Sequence, residues 1–345
     1  MNLGIWLPIF GGWLRNCEEP SMSASFDYNK DVALLADRLG FSTILAAELN
    51  LNDIKGPEEP VLEAWTTLAA LASVTKDIRL MAAIRPGYRL PAIVAKMAAN
   101  IDQISKGRFE LNLVSAWWKE EMAMYTGGWL DHTARYQRST EFLKVLHGMW
   151  RSSKEEPFSF AGEFYQVKEA LLNPKPLQNQ CVPIYAGGES EVGREMIAEQ
   201  CSGYLMHGEK PELIAEHIEN MNERRRRLDK PQLSYGMAAY VICRETENEA
   251  QDELKRITNV DDNPNARHSY DDFVSQSKLR SNISLEDYSV SNRGLRSEFV
   301  GTPEQIAEKM LAYKKVGLDF CLIQCSPMLD DLKIVGEKVL PLIEG

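Results

Sequence analysis

Residues 78–114 read IRLMAAIRPGYRLPAIVAKMAANIDQISKGRFELNLV and contain the repeating unit of the fold. Residues 78–84 are apolar enough for a buried strand, which ends at Arg85-Pro86-Gly87. Residues 91–104 begin with a proline that suits a first helical turn, and they predict an amphipathic helix. Residues 109–114 form a second apolar strand, so the stretch predicts a strand–helix–strand unit. The apolar stripe of the helix consists of Ile93, Val94, Met97, Ala98, Ile101 and Ile104.

The same alternation continues on both sides of this unit. About eight strands that are buried on both faces, with nearly as many helices, are typical of a parallel sheet covered by helices. We predict an α/β fold, a (β/α)8 TIM barrel with insertions, that forms a single domain over residues 1–345. A barrel is favoured over an open doubly wound sheet because no glycine-rich dinucleotide fingerprint follows the first strand, although periodicity alone leaves the open sheet possible. Further strands are predicted at residues 3–7, 43–47, 182–186, 203–206, 235–243 and 318–323, a hairpin at 158–167, and helices at 31–39, 62–74, 135–150, 191–201, 212–228 and from 302 onwards.

Composition excludes several classes of protein. The formal charge of −11 argues against a nucleic-acid-binding protein, which needs a basic face. No run approaches the roughly 18 apolar residues of a membrane span, and the first residues lack the pattern of a secretory signal. Six scattered cysteines are expected to be reduced thiols, and Cys321 and Cys325 have no second pair or nearby histidine to complete a metal site. We therefore expect a cytoplasmic protein without a bound metal.

One turn has the composition of an anion site. Residues 182–190 end in Gly187-Gly188-Glu189-Ser190 just before a predicted helix. The two glycines let backbone amides approach an anion, Ser190 offers a hydroxyl, and the helix start adds its positive dipole end. An ordinary tight strand-to-helix turn has the same composition, so this alternative stays open. Glu189 is an awkward neighbour for a phosphate and is expected to point away from it.

Two further segments carry polar or aromatic groups at the ends of predicted elements. Asn112 lies inside an apolar strand, where it could hydrogen-bond a heteroaromatic ring or be a core asparagine bonded to backbone. Trp117 and Trp118 follow this strand, and they could stack against a planar ligand or belong to an interface. Arg135 and Tyr136 open the predicted helix 135–150 and could bind a phosphate, or Arg135 could pair with a surface carboxylate.

The chain contains few groups that could perform difficult chemistry by themselves. No two histidines have metal-ligand spacing, and neither a nucleophile elbow nor a phosphate-binding Walker loop is present. The polar residues 259–294 have no strong periodicity and a disorder-like composition. Difficult chemistry would then depend on a cofactor.

With these segments, the chain resembles the bacterial-luciferase-like flavin monooxygenases, in particular the branch of alkanesulfonate and dimethyl-sulfone monooxygenases and the pyrimidine oxygenase. The likeness extends over nearly the whole chain and implies a barrel that binds FMN as FMNH2. Five ordered segments carry it: residues 108–115, 132–136, 173–176, 186–190 and 299–303. The residues implied to contact the flavin or its phosphate are Ala47, Glu48, Asn112, Glu121, Arg135, Tyr136, Gly187, Gly188 and Ser190.

The resemblance also implies a two-component monooxygenase, in which a separate NAD(P)H:flavin reductase supplies FMNH2 and O2 is the second co-substrate. Residues 259–294 lie where this family keeps a mobile insertion, so we expect either a lid that excludes water or an idle surface loop. A homodimer or homotetramer is implied as well. Two alternatives stay open: a barrel reductase that uses a deazaflavin, and a flavin-binding protein without catalysis.

Departures from the family pattern bear on the substrate. Alkanesulfonate enzymes carry an arginine and a histidine on the seventh strand, where this chain has Ala238 and Tyr240. A sulfonate needs cationic partners, which only Arg293 or Arg296 could supply. We therefore expect a small organosulfur substrate that is neutral or weakly polar. The candidate catalytic residues are Trp117, Tyr240, Arg293 and Arg296.

Overall fold

A computed structural model describes residues 1–115, 118–179, 181–259 and 284–344. Eight parallel strands form a closed barrel in the order β1-β12-β9-β8-β7-β4-β3-β2, which confirms the predicted fold class. Two short strands outside the barrel form the predicted hairpin, and two more pair beside its rim. The barrel strands are β1 (Asn2–Trp6), β2 (Thr43–Ala46), β3 (Arg79–Ile84), β4 (Phe109–Leu113), β7 (Ile184–Ala186), β8 (Gly203–Met206), β9 (Ser234–Tyr240) and β12 (Phe320–Gln324); the others are β5 (Phe158–Ala161), β6 (Gln166–Ala170), β10 (Ile242–Cys243) and β11 (Val300–Gly301).

Helices cover the outside of the barrel, and side chains cap several of their first turns. The Asp131 carboxylate accepts a hydrogen bond from Ala134 N at 2.8 Å, and Thr302 with Gln305 forms a capping box. Among the described residues, no helix is long and apolar enough to cross a membrane. The helices are α1 (Phe26–Leu39), α2 (Ala64–Ala72), α3 (Pro91–Ile104), α4 (Lys119–Thr126), α5 (His132–Arg151), α6 (Glu191–Gln200), α7 (Pro211–Arg227), α8 (Glu247–Thr258), α9 (Leu285–Tyr288), α10 (Pro303–Lys315), α11 (Met328–Ile334) and α12 (Leu340–Glu344), with a 3-10 segment at Ser291–Ser297 and a π turn at Val335–Val339.

The core has two layers because side chains alternate along each barrel strand. One layer lies between the strands and the helices. The other fills the barrel interior and consists of Leu45, Met81, Leu205, Phe320 and Leu322, with Trp6 and Tyr185 packed against it. Along a strand, every second side chain points to the same side. Within a barrel strand, the side chain two positions after an inner-layer residue therefore also points to the inside of the barrel, toward its mouth.

The structure differs from the sequence-based expectation in three places. Five helices were not predicted: α4, α8, α9, α11 and α12. Helix α4 has little apolar periodicity, α8 is rich in charged residues, α9 lies in the polar stretch 259–294, and α11 and α12 follow the last predicted strand. Helix α3 buries Val94, Ala98 and Ile101 but leaves Ile93 and Ile104 exposed, so the predicted stripe is wider than the face that meets the core. Of the predicted mobile insertion 259–294, residues 260–283 lie outside the described residues, and that prediction stays open.

Candidate functional site

Two buried amide side chains face the barrel mouth without satisfying all their hydrogen bonds. Asn112 of β4 is buried, and its Oδ1 accepts no hydrogen bond from the described residues. Gln324, the last residue of β12, is fully buried, and neither its Oε1 nor its Nε2 has a partner in the described part of the chain. Gln324 lies two residues beyond the inner-layer Leu322. Because unsatisfied buried amides are costly, this pair is suited to a polar ligand at the mouth.

Asn112 was expected from the sequence, and Gln324 was missed. The signal for Asn112 was a polar residue in the middle of an apolar strand. Gln324 is the last residue of β12 and comes directly after the apolar residues of that strand. A polar residue at such a position usually marks the start of a loop.

The glycine turn after β7 brings four predicted residues together: Tyr136, Gly187, Gly188 and Ser190. A Cβ on Gly188 would lie 3.0 Å from the Tyr136 hydroxyl, and a Cβ on Gly187 would lie 2.8 Å from the Leu205 carbonyl oxygen. Ser190 caps α6, since its Oγ accepts a hydrogen bond from Gly193 N at 3.2 Å. Both glycines are thus required for the close packing of this turn, which places a helix start and a tyrosine hydroxyl side by side.

Arg135 lies near this turn on α5 and has no carboxylate partner among the described residues. Its Nη1 donates to the Leu130 carbonyl at 3.0 Å, and its guanidinium lies 4.3 Å from the centroid of the Trp129 ring. Burial, together with nearby Arg138, lowers the pKa of Arg135. The alternative in which Arg135 pairs with a surface carboxylate is wrong for the described residues. A half-buried cation without an anion is stabilised when an anion binds beside it.

A buried ion network stands where the sequence predicted two flavin contacts. Glu121 of α4 is fully buried, and Arg85 donates to it twice, at 2.5 and 2.8 Å. The same carboxylate accepts from the Tyr88 hydroxyl at 3.1 Å and from Asn50 N at 2.6 Å. These bonds occupy both oxygens, so Glu121 fastens α4 to the loops that follow β2 and β3. A direct flavin contact of Glu121 stays a prediction.

Glu48 takes a similar place in this network. Its carboxylate accepts from Arg85 N at 2.5 Å and from Arg89 Nε at 2.9 Å. Burial raises the pKa of Glu48, although Arg89 works in the opposite direction. Its neighbour Ala47 is half-buried directly after β2. Arg85 was not predicted as a site residue, because its only signal in the sequence was its position immediately after a strand.

The four candidate catalytic residues have different surroundings. Trp117 lies outside the described residues. Tyr240 ends β9, its hydroxyl has no hydrogen-bond partner among the described residues, and burial raises its pKa well above the usual value. Arg293 is buried and pairs with Glu189. Arg296 pairs with Glu209 at 2.8 Å and with Asp287 at 2.9 Å. Both cations that could have met a sulfonate are therefore bound to carboxylates.

Comparisons with known proteins match the whole length of the chain. A family model described as luciferase-like monooxygenase matches residues 1–319. An FMNH2-dependent dimethylsulfone monooxygenase of Pseudomonas putida is 33% identical and aligns with 99% of this chain and 95% of its own. The protein with the same description from Pseudomonas fluorescens (strain Pf0-1) is 32% identical over 99% of this chain and 94% of its own.

Solved structures share the fold at low sequence identity. The EDTA monooxygenase EmoA from Chelativorans sp. BNC1 superposes with a TM-score of 0.81 at 18% identity, covering 100% of this chain and 93% of that one. DmoA from Hyphomicrobium sulfonivorans gives a TM-score of 0.81 at 15% identity, covering 100% of this chain and 87% of that one.

Proposed function

The chain belongs to the luciferase-like monooxygenase family, and from this membership we propose that it is a single-domain monooxygenase that uses reduced FMN and O2 to insert one oxygen atom into a small organosulfur compound, foremost a sulfone. The observation that carries the proposal is the 33% identity to an FMNH2-dependent dimethylsulfone monooxygenase along 99% of the chain. Because the alignment spans nearly the whole chain, it includes the loops at the barrel mouth that form the candidate site.

The residues at the barrel mouth fit FMN. The unsatisfied amides of Asn112 and Gln324 could bond the polar edge of a flavin ring. The start of α6, the Tyr136 hydroxyl and Arg135, which has no carboxylate partner in the described part of the chain, suit the phosphate. When bound, reduced FMN supplies the two electrons that let one atom of O2 enter a substrate while the other leaves as water.

The work of the chain is then to bind, orient and keep out water. The network of Arg85, Glu48 and Glu121 holds the loops after β2 and β3 and helix α4 in one arrangement. Preorganised contacts of this kind place the reacting groups without further ordering during the reaction. The Tyr240 hydroxyl has no hydrogen-bond partner among the described residues and carries its proton at neutral pH, as a phenol does, so it can act there as a hydrogen-bond donor.

The charges around the mouth support a neutral substrate. Ala238 leaves no cation on β9, and Arg293 and Arg296 are already paired with carboxylates. A sulfonate near these residues would have to give up its hydration without gaining the charge of Arg293 or Arg296. A sulfone carries two acceptor oxygens and no charge, so it avoids that cost.

An oxygenation assay tests the proposal. Purified protein is mixed with FMN, NADH and a generic flavin reductase, and dimethyl sulfone consumption and products are followed by mass spectrometry. We expect turnover that requires the protein, FMN and O2 together, and weaker turnover of methanesulfonate. Flavin binding without any oxygenated product across sulfones, sulfoxides and sulfonates would support the non-catalytic alternative, and ketone reduction by a reduced deazaflavin would support the reductase alternative.

We also propose that the chain forms a homodimer and receives FMNH2 from a separate reductase. The exposed face of α3 supports the dimer, since Leu90 and Ile93 are 66% and 56% exposed and Ile104 lies on the same helix. Apolar side chains grouped on one surface are typical of a protein–protein interface.

Ile93→Glu is therefore expected to weaken dimerisation more than about tenfold, because a central apolar contact contributes about 2 kcal/mol. Sedimentation equilibrium should show about twice 39.1 kDa for the native chain and a larger monomer fraction for the variant. Leu342→Glu, at an exposed leucine of α12, is the control and should stay dimeric. A native chain that sediments as a monomer would contradict the proposal.

A further inference from the structure

Glu189 places a negative charge in the middle of the turn that suits the flavin phosphate. It stands between Gly188 and Ser190, and the turn leads directly into helix α6. Neighbouring Cα atoms are about 3.8 Å apart, so a carboxylate at this position can reach the space beside an anion that is bound at the helix start. Two negative charges side by side repel each other and weaken binding. A turn that binds phosphate therefore needs a group that directs this carboxylate elsewhere.

The buried Arg293 pairs with the Glu189 carboxylate. Its guanidinium donates a hydrogen bond to Oε1 of Glu189 and forms an ion pair with it. The Arg293 side chain is 6% exposed and that of Glu189 is 22% exposed, so the solvent screens the pair only weakly. Burial raises the pKa of Glu189, but the positive charge of Arg293 is the largest of the opposing effects, and the pKa is lowered overall. Glu189 is therefore ionised at pH 7, and its charge is directed to Arg293.

Close packing of the backbone fixes the position of Arg293. Asn292 and Arg293 have φ angles of 59° and 54°, in the left-handed region that residues other than glycine rarely adopt. Gly208 N donates to the Asn292 carbonyl at 3.0 Å, and a Cβ on Gly208 would collide with the carbonyl oxygen of Arg293. A Cβ on Gly294 would lie 2.7 Å from the backbone nitrogen of Tyr240. Backbone strain of this kind persists only where the surrounding structure maintains it, and it is concentrated at functional sites.

We propose that Arg293 is a positioning residue for the cofactor: by pairing with Glu189, it keeps that carboxylate away from the flavin phosphate. The pair would thereby set the preference of the site for FMN over riboflavin, which has the same ring and no phosphate. The inference rests on the proposed function and concerns only the phosphate end of the same site. The sequence indicated that Glu189 should point away from a phosphate, and the ion pair with Arg293 gives the physical reason.

The test compares the dissociation constants of FMN and riboflavin, both measured by flavin fluorescence. For Arg293→Met we expect Kd for FMN to rise about tenfold and Kd for riboflavin to stay the same, because only FMN carries a phosphate that the unpaired Glu189 can repel. Glu189→Gln should bind FMN more tightly than the native chain does, since it removes the negative charge and frees the guanidinium for the phosphate. Arg293→Met combined with Glu189→Gln should return Kd for FMN close to the native value.

Arg244→Met is the matched control, because Arg244 also pairs with a buried carboxylate, that of Asp331 on α11, at 3.0 Å. It should lower the free energy of unfolding without changing the ratio of the two Kd values.

Three results would overturn the inference. These are equal weakening of FMN and riboflavin binding in Arg293→Met, which indicates a structural role, an unchanged Kd for FMN in that variant, and a double variant that binds FMN as weakly as Arg293→Met alone. A native chain that binds FMN but oxygenates no substrate would instead contradict the proposed function, since the two Kd values do not depend on turnover.

Discussion

Arg85→Met is expected to lower the free energy of unfolding by about 3–5 kcal/mol, the usual cost of leaving one member of a buried ion pair without its partner. The Glu121 side chain is completely buried and that of Arg85 is 2% exposed, so water cannot replace the lost guanidinium. The carboxylate would keep only its bonds from Tyr88 and Asn50. Chemical denaturation of the FMN-free protein at pH 7 measures the change.

Two further variants make this prediction specific. Arg85→Met combined with Glu121→Leu removes both charges and should recover a large part of the loss, since a buried pair replaced by apolar residues is often neutral. Arg226→Met breaks a pair with Glu219 whose side chains are 64% and 59% exposed, and it should cost no more than about 1 kcal/mol. Equal losses in Arg85→Met and Arg226→Met would show that the buried network does not hold the mouth together.

Asn112→Leu is expected to separate binding from stability. FMN affinity should fall about 5- to 150-fold, which corresponds to losing one buried hydrogen-bond partner worth about 1–3 kcal/mol. The ligand-free variant should be at least as stable as the native chain, because the Asn112 Oδ1 is buried with no partner among the residues described, and leucine removes that cost. Fluorescence titration with FMN and denaturation of the same samples give both quantities.

Asn52→Leu is the matched control, because Asn52 is a buried asparagine with its bonds satisfied. Its amide donates to the carbonyls of Phe10 and Pro60, both at 2.9 Å, and its Oδ1 accepts from Ile54 N and Lys55 N. Asn52→Leu should therefore destabilise the chain and leave the FMN affinity of the folded fraction unchanged. If Asn112→Leu instead loses stability and keeps its FMN affinity, Asn112 is a structural residue.

The barrel was predictable because strand and helix periods are local properties of the sequence. Residues 78–114 contain a buried strand, a helix with proline in its first turn and a second strand. Repetition of this unit along the chain predicts a parallel sheet that is covered by helices. The same local logic identified Asn112, a polar residue in an apolar strand, and the glycine turn at Gly187 and Gly188. The width of the α3 stripe was not predictable, since exposure of Ile93 depends on what covers that helix.

The partners of charged residues could not be read from the sequence. Arg85 and Glu121 are 36 positions apart and meet only because β3 and the helix after β4 return to the same end of the barrel. Arg293 meets Glu189 across 104 positions by the same closure. Hence Glu121 and Arg293 were identified as candidates for the site, but the structure was needed to find that each is bound to another side chain. Gln324 was missed because only the inner layer reveals which way its side chain points.

A single-turnover reaction in 18O2 shows whether the chain transfers an oxygen atom from O2 to a sulfone. The protein is mixed with photoreduced FMN and dimethyl sulfone, exposed to 18O2, quenched within seconds in cold acetonitrile, and the organic products are analysed at once by mass spectrometry without derivatisation. We expect one 18O atom in each molecule of organic product, and much less labelled product when Asn112→Leu is used at an FMN concentration well below its dissociation constant. A product without 18O, or oxidation of FMNH2 that yields only hydrogen peroxide with the native chain, would contradict it.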